Sequence, residues 1–317
     1  MKKSKLIVIT MGDPAGIGPE ILNLWLKVAD TGQDCFVLCA STGFLASKLP
    51  AWDGKVRPGI YLSGIEQKQK IKPGKVQAEA GRLSFACLAE AVGIVEINPG
   101  AILVTMPVSK EAWHKAGIRQ LGHTDYLRDR AGVDAVLMFF HGEKFSMGLC
   151  TVHVPLSLVP GLITTGLILE KLRIIAASGM ASGKKPIGVL GLNPHAGENG
   201  LMGREEFLVS EAIRLAEHEG ISACGPLVPD TFFKTKADCY LALYHDQGLT
   251  PFKLVHGLSG ANITLGLPYL RLSVTHGTAF GITGLGQADP AGFYYVLELA
   301  RKLDFNRFQR VCCKTGH

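Results

Sequence analysis

Short, apolar, β-rich runs alternate with longer segments of helical spacing along this chain, and this alternation limits the fold more than any other feature. The β-rich runs are residues 6–10, 35–40, 101–105, 135–140, 148–154, 187–192 and 240–244. The segments with helical spacing are residues 19–29, 77–95, 167–178 and 204–219. Strands that alternate with helices form a mostly parallel sheet with helices on its faces. The sequence therefore predicts an α/β fold.

The size of the chain is sufficient for one large or two medium α/β domains. It has 317 residues, of which 47% are hydrophobic, so real cores can form. No internal repeat or low-complexity linker divides it. The least regular stretch is residues 50–81, where proline, glycine and lysine interrupt every period, and we expect a surface excursion there.

Charge and cysteine content restrict the partners and the compartment. The formal net charge is +6, but the basic residues are scattered without an aromatic-basic stripe. A small anionic ligand explains this charge as well as nucleic acid does, and we expect no nucleic acid. The apolar run at residues 6–10 is too short for an export signal or a membrane span. Eight cysteines without such a signal favour reduced thiols in the cytoplasm.

The turn "GDPAGIGPE" follows the first predicted strand and raises the possibility of a dinucleotide-phosphate loop. A Rossmann loop has the pattern G-x-G-x-x-G, and its backbone N–H groups approach a pyrophosphate. Here Asp13 would place a carboxylate at the pyrophosphate, and Pro14 has no N–H to donate. The dinucleotide-loop interpretation therefore fails. A helix N-terminus after Gly18 that faces a ligand, or a purely structural turn, both remain open.

Three histidines each end a predicted strand, namely His153, His195 and His245. The carboxyl ends of strands in α/β sheets are where ligands bind, so these imidazoles can converge. Three neutral imidazoles with an open position suit a catalytic divalent metal, although a single histidine is more often a satisfied or exposed side chain. The other histidines outside turns are expected to face solvent: His114, His141, His218 and His256.

A second group of residues suits an anion. Lys253 follows "YHDQG", Asn262 lies in "ANITLGLP", and Arg271 lies in "LPYLRLS". A lysine and an arginine that flank an asparagine can hold a phosphate or carboxylate through charge-assisted hydrogen bonds. Two solvated basic side chains are the alternative. Their position just after the His245 strand favours a shared site.

Six motifs in order resemble one family: "MGDPAGIGPE", "GHTDYL", "NPHAGE", "YHDQG", "NITLGLP" and "HGTAF". They resemble the 4-hydroxythreonine-4-phosphate dehydrogenases of vitamin B6 biosynthesis, from about Ile7 to Asp289. The resemblance implies an isocitrate/isopropylmalate dehydrogenase-like fold, with two α/β/α domains and a cleft between them. It also implies a homodimer with shared active sites. The expected domains are residues 1–118 with 268–317, which carry the cofactor segment, and residues 119–267, which carry metal, substrate and dimer residues.

The resemblance further implies a reaction. NAD or NADP would oxidise 4-phosphooxy-L-threonine at C3, and decarboxylation would give 3-amino-2-oxopropyl phosphate, with one divalent ion (Zn, Mg, Co or Mn). The implied metal ligands are His153, His195 and His245. The implied substrate-binding residues are His123, Thr124, Lys253, Asn262 and Arg271. The candidates for the base are Asp230 and Asp246, either of which can instead orient a metal-bound histidine. The implied cofactor-binding residues, within residues 276–289, are His276, Gly277 and Ala279.

Three positions depart from the family pattern. Thr275 stands where an aspartate is typical, Leu272 where a threonine is typical, and Gly281 where an acid is typical. An acid at the last position disfavours the 2′-phosphate of NADP, so its absence leaves the choice between NAD and NADP open. The alternatives are the same chemistry on threonate or erythronate 4-phosphate, a metal-dependent lyase or hydrolase, and a non-catalytic binding protein.

Overall fold

The structure, a computed structural model, describes residues 4–45, 49–67 and 70–303. The chain forms two compact units. The first contains the described residues up to 132 together with 267–303, and the second contains residues 133–266. The first unit extends beyond residue 118, the boundary expected from the sequence, and includes the helix that begins at His123.

The strands, numbered along the chain, are β1 (Leu6–Thr10), β2 (Cys35–Ser41), β3 (Gly59–Ile65), β4 (Ile102–Thr105), β5 (Leu137–Gly142), β6 (Met147–Leu149), β7 (Ile187–Leu190), β8 (Ala223–Leu227), β9 (Cys239–Ala242), β10 (Gly260–Leu265) and β11 (Leu270–Ser273). The helices are α1 (Gly18–Leu26), α2 (Thr42–Leu45), α3 (Ala78–Ile97), α4 (Lys110–Lys115), α5 (His123–Ala131), α6 (Val159–Leu162), α7 (Thr165–Ala177), α8 (Glu205–His218), α9 (His245–His256) and α10 (Ala291–Lys302). This mixture of strands and helices confirms the predicted α/β class.

The strands of the first unit are all parallel, in the order β3-β2-β1-β4-β11. β1 pairs with β2 from Leu6 opposite Cys35, and with β4 from Ile7 opposite Ile102. Every residue of β1 and β2 is buried. Strands covered on both faces need apolar side chains on both, which is why these two form continuous apolar runs.

Helices cover both faces of the first unit's strands. Phe36 of β2 contacts Trp25 of α1, with ring centres 5.3 Å apart, and Trp25 contacts Phe293 of α10 at 5.8 Å. Successive side chains of a strand point to opposite faces. Cys39 of β2 accordingly faces the other side, toward Cys87 of α3. The β2 run therefore connects two helical layers.

The strands of the second unit have the order β10-β5-β6-β9-β7-β8. β5 is antiparallel to both β10 and β6, whereas β6, β9, β7 and β8 are parallel. Aromatic and aliphatic side chains from these strands, from α9 and from the turn before β9 form one core: Phe140, Met147, Leu149, Leu190, Phe232, Tyr240, Ala242, Leu249 and Phe252. The pairing is mostly parallel, as expected, with an antiparallel part around β5.

Residues 50–81 are more regular than their composition suggests. β3 lies within them and pairs with β2 along its whole length, from Cys35 opposite Gly59 to Ser41 opposite Ile65. The expectation of a surface excursion is therefore wrong for this part. This strand contains two glycines and lies partly exposed at the edge of the sheet. Its sequence therefore lacks the alternation of buried residues that marks a strand.

The expected strand at residues 148–154 is also shorter in the structure. β6 ends at Leu149, and the chain then turns, with Thr151 N–H donating to the Leu243 carbonyl at 3.2 Å. His153 has a left-handed backbone with φ of 51° and lies beyond the strand. No described helix is both long enough and apolar enough to span a membrane.

Gly81 and Gly93 form a matched pair for testing how α3 packs on α4. A Cβ at Gly81 would clash with the Ala112 carbonyl, whereas a Cβ at Gly93 would meet nothing within 4 Å. We expect Gly81→Ala to lower the free energy of unfolding by about 1–3 kcal/mol through overpacking. We expect Gly93→Ala to raise it by about 0.5–1 kcal/mol through helix propensity. Urea denaturation measures both, and equal effects would contradict the close packing.

Candidate active site

Three parallel strands of the first unit, β1, β4 and β11, end side by side, and the loops that follow them touch. Asp13 N–H donates to the Pro107 carbonyl at 2.8 Å, and Ile17 N–H donates to the Thr278 carbonyl at 3.0 Å. Ligands of α/β proteins bind at the carboxyl ends of such strands. The loops after β1 and β11 carry the motifs "GDPAGIGPE" and "HGTAF".

The glycines of the first loop allow this close approach. Gly12 has φ of +75°, and a Cβ there would lie 2.5 Å from the Pro107 carbonyl oxygen. A Cβ at Gly16 would lie 2.8 Å from the Thr278 carbonyl oxygen. Asp13 is buried, its Oδ1 accepts the Ala15 N–H at 2.8 Å, and burial raises the pKa of its carboxyl. The loop is thus packed by its own chain.

Arg271 brings a buried positive charge to this unit. It lies on β11, is 3% exposed, and its Nη2 donates to Thr105 Oγ1 of β4 at 2.7 Å. Burial lowers the pKa of the guanidinium to about 10, so it stays protonated at neutral pH. Burying a charge is costly unless it is compensated, so such a side chain suits the binding of an anion.

His123 lies close to this charge. It is the first residue of α5, and its ring meets Trp113 edge to face with centres 5.8 Å apart. Burial, and secondly the Arg271 charge, lower the pKa of His123 well below its usual value. Its buried Nε2 has no hydrogen-bond partner among the described residues. A neutral imidazole can therefore meet an oxygen-bearing ligand here, and Thr124 is the next residue of the same helix turn.

The loop after β11 contains the expected cofactor residues. His276 Nδ1 donates to the Gly277 carbonyl at 2.9 Å, and its buried Nε2 has no partner within the part of the chain that the structure describes. Ala279 has φ of 49°. A Cβ at Gly277 or Gly281 would meet nothing within 4 Å. An unused acceptor and open space beside the backbone fit a dinucleotide, which approaches the chain closely.

The second unit brings together two of the three expected metal ligands. The rings of His153 and His245 have centres 5.6 Å apart. Two imidazoles bound to one ion through metal–nitrogen bonds of about 2.1 Å have their ring centres at about this separation. His245 Nδ1 and Asp246 Oδ1 are 2.8 Å apart, and because a carboxylate accepts, Nδ1 carries the proton. His245 Nε2 therefore keeps a lone pair for a metal.

His195 does not complete a metal site with that pair in this structure. No three His, Cys, Asp or Glu side chains among the described residues form a group that can hold a metal ion. His195 lies in the turn after β7, where its Nδ1 is 3.9 Å from Glu198 Oε1. The chemistry of the donors fits a divalent ion at His153 and His245, and the third ligand stays a prediction.

The backbone around His195 is unusual. Five successive residues, His195 to Asn199, have φ between 45° and 76°, and only Gly197 of these is a glycine. A left-handed backbone costs about 1–2 kcal/mol for each residue with a Cβ. Such strain persists only where the surroundings stabilise it, and it concentrates at functional sites.

The two candidate bases differ in their surroundings. Both are exposed, but Asp246 is hydrogen-bonded to His245, whereas Asp230 lies between β8 and the short turn Phe232–Lys234. In the same unit Lys253 lies exposed on α9, and Asn262 lies on β10 with its Oδ1 buried. That Oδ1 has no hydrogen-bond partner among the described residues, so it is an acceptor available to a ligand.

Two histidines expected to face solvent do not. His256 is 8% exposed, its Nδ1 donates to the Phe252 carbonyl at 3.0 Å, and its Nε2 accepts the Lys144 N–H at 3.2 Å. His141 is half-buried and lies 3.0 Å from Ser146 Oγ. The spacing of four residues between Phe252 and His256 places them on one helix face, and this signal was available in the sequence. His114 and His218 are exposed.

Known proteins resemble the chain over most of its length. The family model for pyridoxal phosphate biosynthetic protein PdxA matches residues 45–300. A 4-hydroxythreonine-4-phosphate dehydrogenase from Cupriavidus pinatubonensis is 38% identical over 314 residues, covering 89% of this chain and 90% of that protein. One from Aromatoleum aromaticum is 36% identical over 324 residues, covering 97% and 99%. The solved structure of the Klebsiella pneumoniae enzyme of that name has a TM-score of 0.82 at 32% identity, covering 94% of this chain and 98% of that chain.

The chain has the α/β fold of the class to which these dehydrogenases belong. More narrowly, the chain belongs to the family of pyridoxal phosphate biosynthetic protein PdxA. The family expected from the sequence motifs is thereby confirmed.

The burial of His123 predicts a pH dependence of stability. The unfolded chain protonates His123 near its ordinary pKa of about 6.5, whereas the folded state keeps it neutral to a much lower pH. The unfolded state then binds more protons below about pH 6.5, so the free energy of unfolding falls as the pH falls. We expect His123→Gln to reduce this fall by about 1 kcal/mol per pH unit below about pH 6. Urea denaturation at several pH values measures the slope.

His114→Gln is the matched control for this experiment, because His114 is exposed on α4. It should leave the slope unchanged. A His123→Gln slope equal to that of the wild type would show that the buried ring is not held neutral.

Proposed function

We propose that this chain is a 4-hydroxythreonine-4-phosphate dehydrogenase. It oxidises 4-phosphooxy-L-threonine at C3 with NAD or NADP, and the β-keto acid loses carbon dioxide to give 3-amino-2-oxopropyl phosphate for pyridoxal phosphate biosynthesis. The observation that carries the proposal is the buried Arg271 guanidinium beside the neutral His123 ring. A substrate that brings a phosphate or carboxylate compensates such a charge.

The substrate-binding roles follow from the side chains. Arg271 donates charge-assisted hydrogen bonds to the anionic group, and His123 and Thr124 contact its oxygens. In the second unit Lys253 adds a mobile positive charge. The buried Asn262 Oδ1 accepts a hydrogen bond from the substrate hydroxyl or ammonium group.

His153, His195 and His245 are the proposed ligands of one divalent ion, Zn, Mg, Co or Mn. When bound, the ion lowers the pKa of the substrate hydroxyl and stabilises the negative charge that develops as carbon dioxide leaves. Asp246 orients the His245 ring through its 2.8 Å hydrogen bond to Nδ1. Because Asp246 is engaged in this way, we assign the removal of the hydroxyl proton to Asp230.

His276, Gly277 and Ala279 are the proposed contacts of the dinucleotide. A dinucleotide held by these residues would supply the hydride acceptor for oxidation at C3. The His276 Nε2 acceptor is available to an adenosine-ribose hydroxyl. Gly281 has open space where an acid is typical of the family, so neither its charge nor its bulk opposes a 2′-phosphate, and we propose that NADP is accepted as well as NAD.

We also propose a homodimer in the cytoplasm. The second unit exposes large apolar side chains on the segment before α7, on the segment before α8 and in the first turn of α8, and these support a protein interface: Leu156, Leu158, Leu162, Leu201 and Phe207. The two segments are linked where Thr165 Oγ1 donates to the Leu208 carbonyl. The cysteines within the described residues are all free, which fits a reducing compartment.

The proposal is tested by turnover of 4-phosphooxy-L-threonine with NAD or NADP and a divalent ion. Reduction of the nicotinamide, followed at about 340 nm, is the expected result. His195→Ala should lose both bound metal and activity, by about 10–100-fold or more, because one ligand is removed. His218→Ala, a substitution at an exposed position on α8, is the matched control and should change neither.

Other results identify the alternatives. Turnover of threonate or erythronate 4-phosphate without turnover of 4-phosphooxy-L-threonine would overturn the biosynthetic assignment. Metal-dependent cleavage or hydrolysis of a phosphorylated acid without any dinucleotide reduction would favour a lyase or hydrolase. Binding of dinucleotide and substrate without any reaction would leave a binding protein.

Gly281→Asp tests the choice of dinucleotide. A carboxylate there should repel the 2′-phosphate and raise the Kd for NADP by about tenfold, since like charges in contact disfavour binding. The Kd for NAD should change by no more than about twofold, because NAD lacks that phosphate. Gly281→Asn has nearly the same shape without the charge and is the control. Calorimetric titration measures both Kd values, and equal changes for the two dinucleotides would place the 2′-hydroxyl elsewhere.

A further inference from the structure

The left-handed turn that carries His195 needs a stabilising contact, because four of its five residues have a Cβ in a conformation that favours glycine. Hydrogen bonds within the turn supply part of this stabilisation. Ala196 N–H donates to the Asn193 carbonyl at 3.1 Å, and Met202 N–H donates to the Gly197 carbonyl at 3.0 Å. Neither bond fixes the direction in which the chain enters the turn from β7.

The carboxylate of Glu206 fixes the direction in which the chain enters the turn from β7. Glu206 lies in the first turn of α8 and is 6% exposed. Its Oε1 accepts two backbone hydrogen bonds, from Leu192 N–H at 2.9 Å and Asn193 N–H at 2.7 Å. Its Oε2 accepts a third bond from Asn193 Nδ2 at 3.0 Å. Two adjacent backbone N–H groups and one side chain are therefore held at the entrance to the turn.

The same carboxylate also packs directly under the turn. A Cβ at Gly197 would lie 2.5 Å from Glu206 Oε2, and a Cβ at Gly191 would lie 3.3 Å from Glu206 Oε1. A side chain at position 197 would therefore collide with the carboxylate, and one at position 191 would crowd it. The turn and Glu206 fit together by shape as well as by hydrogen bonding.

The chemistry of this contact requires a group that only accepts. All three partners of Glu206 are N–H donors, and an ionised carboxylate has acceptors alone. A glutamine would keep one oxygen for the backbone N–H groups but would place its NH₂ against Asn193 Nδ2. Leaving a buried polar group without its hydrogen-bond partner costs more free energy than leaving an exposed polar group without one.

We infer that Glu206 is a positioning residue that holds the left-handed turn in shape and thereby orients His195 for the metal. This inference rests on the proposed role of His195 as a metal ligand. Glu206 does not touch the metal or the substrate in this role. It acts by holding the backbone on which the ligand stands, as partners one step removed from a metal ligand do.

Zn²⁺ binding to protein freed of metal tests the inference without any turnover. We expect Glu206→Ala to weaken Zn²⁺ binding by about 100-fold and Glu206→Gln by about tenfold, measured by calorimetry. Glu211→Gln, on the exposed side of the same helix in an ion pair with Arg214, is the matched control and should bind as the wild type does.

A second substitution distinguishes the turn from general damage to the fold. Ala196→Gly removes one Cβ from a left-handed residue, so it favours the turn without touching Glu206. In the Glu206→Ala background it should recover about three- to tenfold of the lost Zn²⁺ affinity. A loss that Ala196→Gly leaves unchanged would overturn the inference, because a strained turn would then not be what Glu206 stabilises.

The remaining outcomes separate this inference from the proposed function. If His195→Ala abolishes Zn²⁺ binding while both Glu206 variants bind normally, the metal site stands and the inference is wrong. If His195→Ala binds Zn²⁺ as the wild type does, the proposed metal site and the inference about Glu206 are both wrong. Should Glu206→Ala fail to fold, Glu206→Gln decides, together with hydrogen exchange of the Leu192 and Asn193 amides, which should quicken at least tenfold. Unchanged exchange and affinity in Glu206→Gln would refute the positioning role.

Discussion

Parallel pairing of β1, β4 and β11 is the constraint on which the first unit depends. Because parallel strands end at the same edge, the loops that follow them must share one place. They can do so only because Gly12 and Gly16 let the backbones approach closely. The turn "GDPAGIGPE", which looks like a phosphate loop, is therefore explained by loop packing beside the residues proposed to bind the dinucleotide.

Burial of Arg271 has consequences for its neighbours. A guanidinium inside a strand layer is costly, and the hydrogen bond from its Nη2 to Thr105 Oγ1 is one of the contacts that compensate it. Its field also holds His123 neutral, together with burial. Burial of the ring contributes more than this charge to the lowered pKa of His123.

In the second unit, backbone strain is found at the proposed metal ligands. His153 and the His195 turn both have left-handed backbones, a conformation that is uncommon for residues other than glycine. The surroundings compensate differently for each element. Around His195 the stabilising group is a buried carboxylate with three N–H partners, contributed by α8, which begins at Glu205, ten positions after His195. Strain of this kind persists because several contacts hold it at once.

The family was predicted from six sequence motifs, whereas continuous apolar runs and helical periods were enough to predict the α/β class and most of the parallel strands. These are local properties, and hydrophobic periodicity reports them directly. β3 was missed because its glycines and edge position weaken the pattern, and β11 because a buried arginine interrupts it. The neutral state of His123 and the contact of Glu206 with the His195 turn depend on residues from separate elements of the chain. Such properties arise only when packing removes water and brings distant groups within hydrogen-bond distance, and no local pattern of residues carries that information.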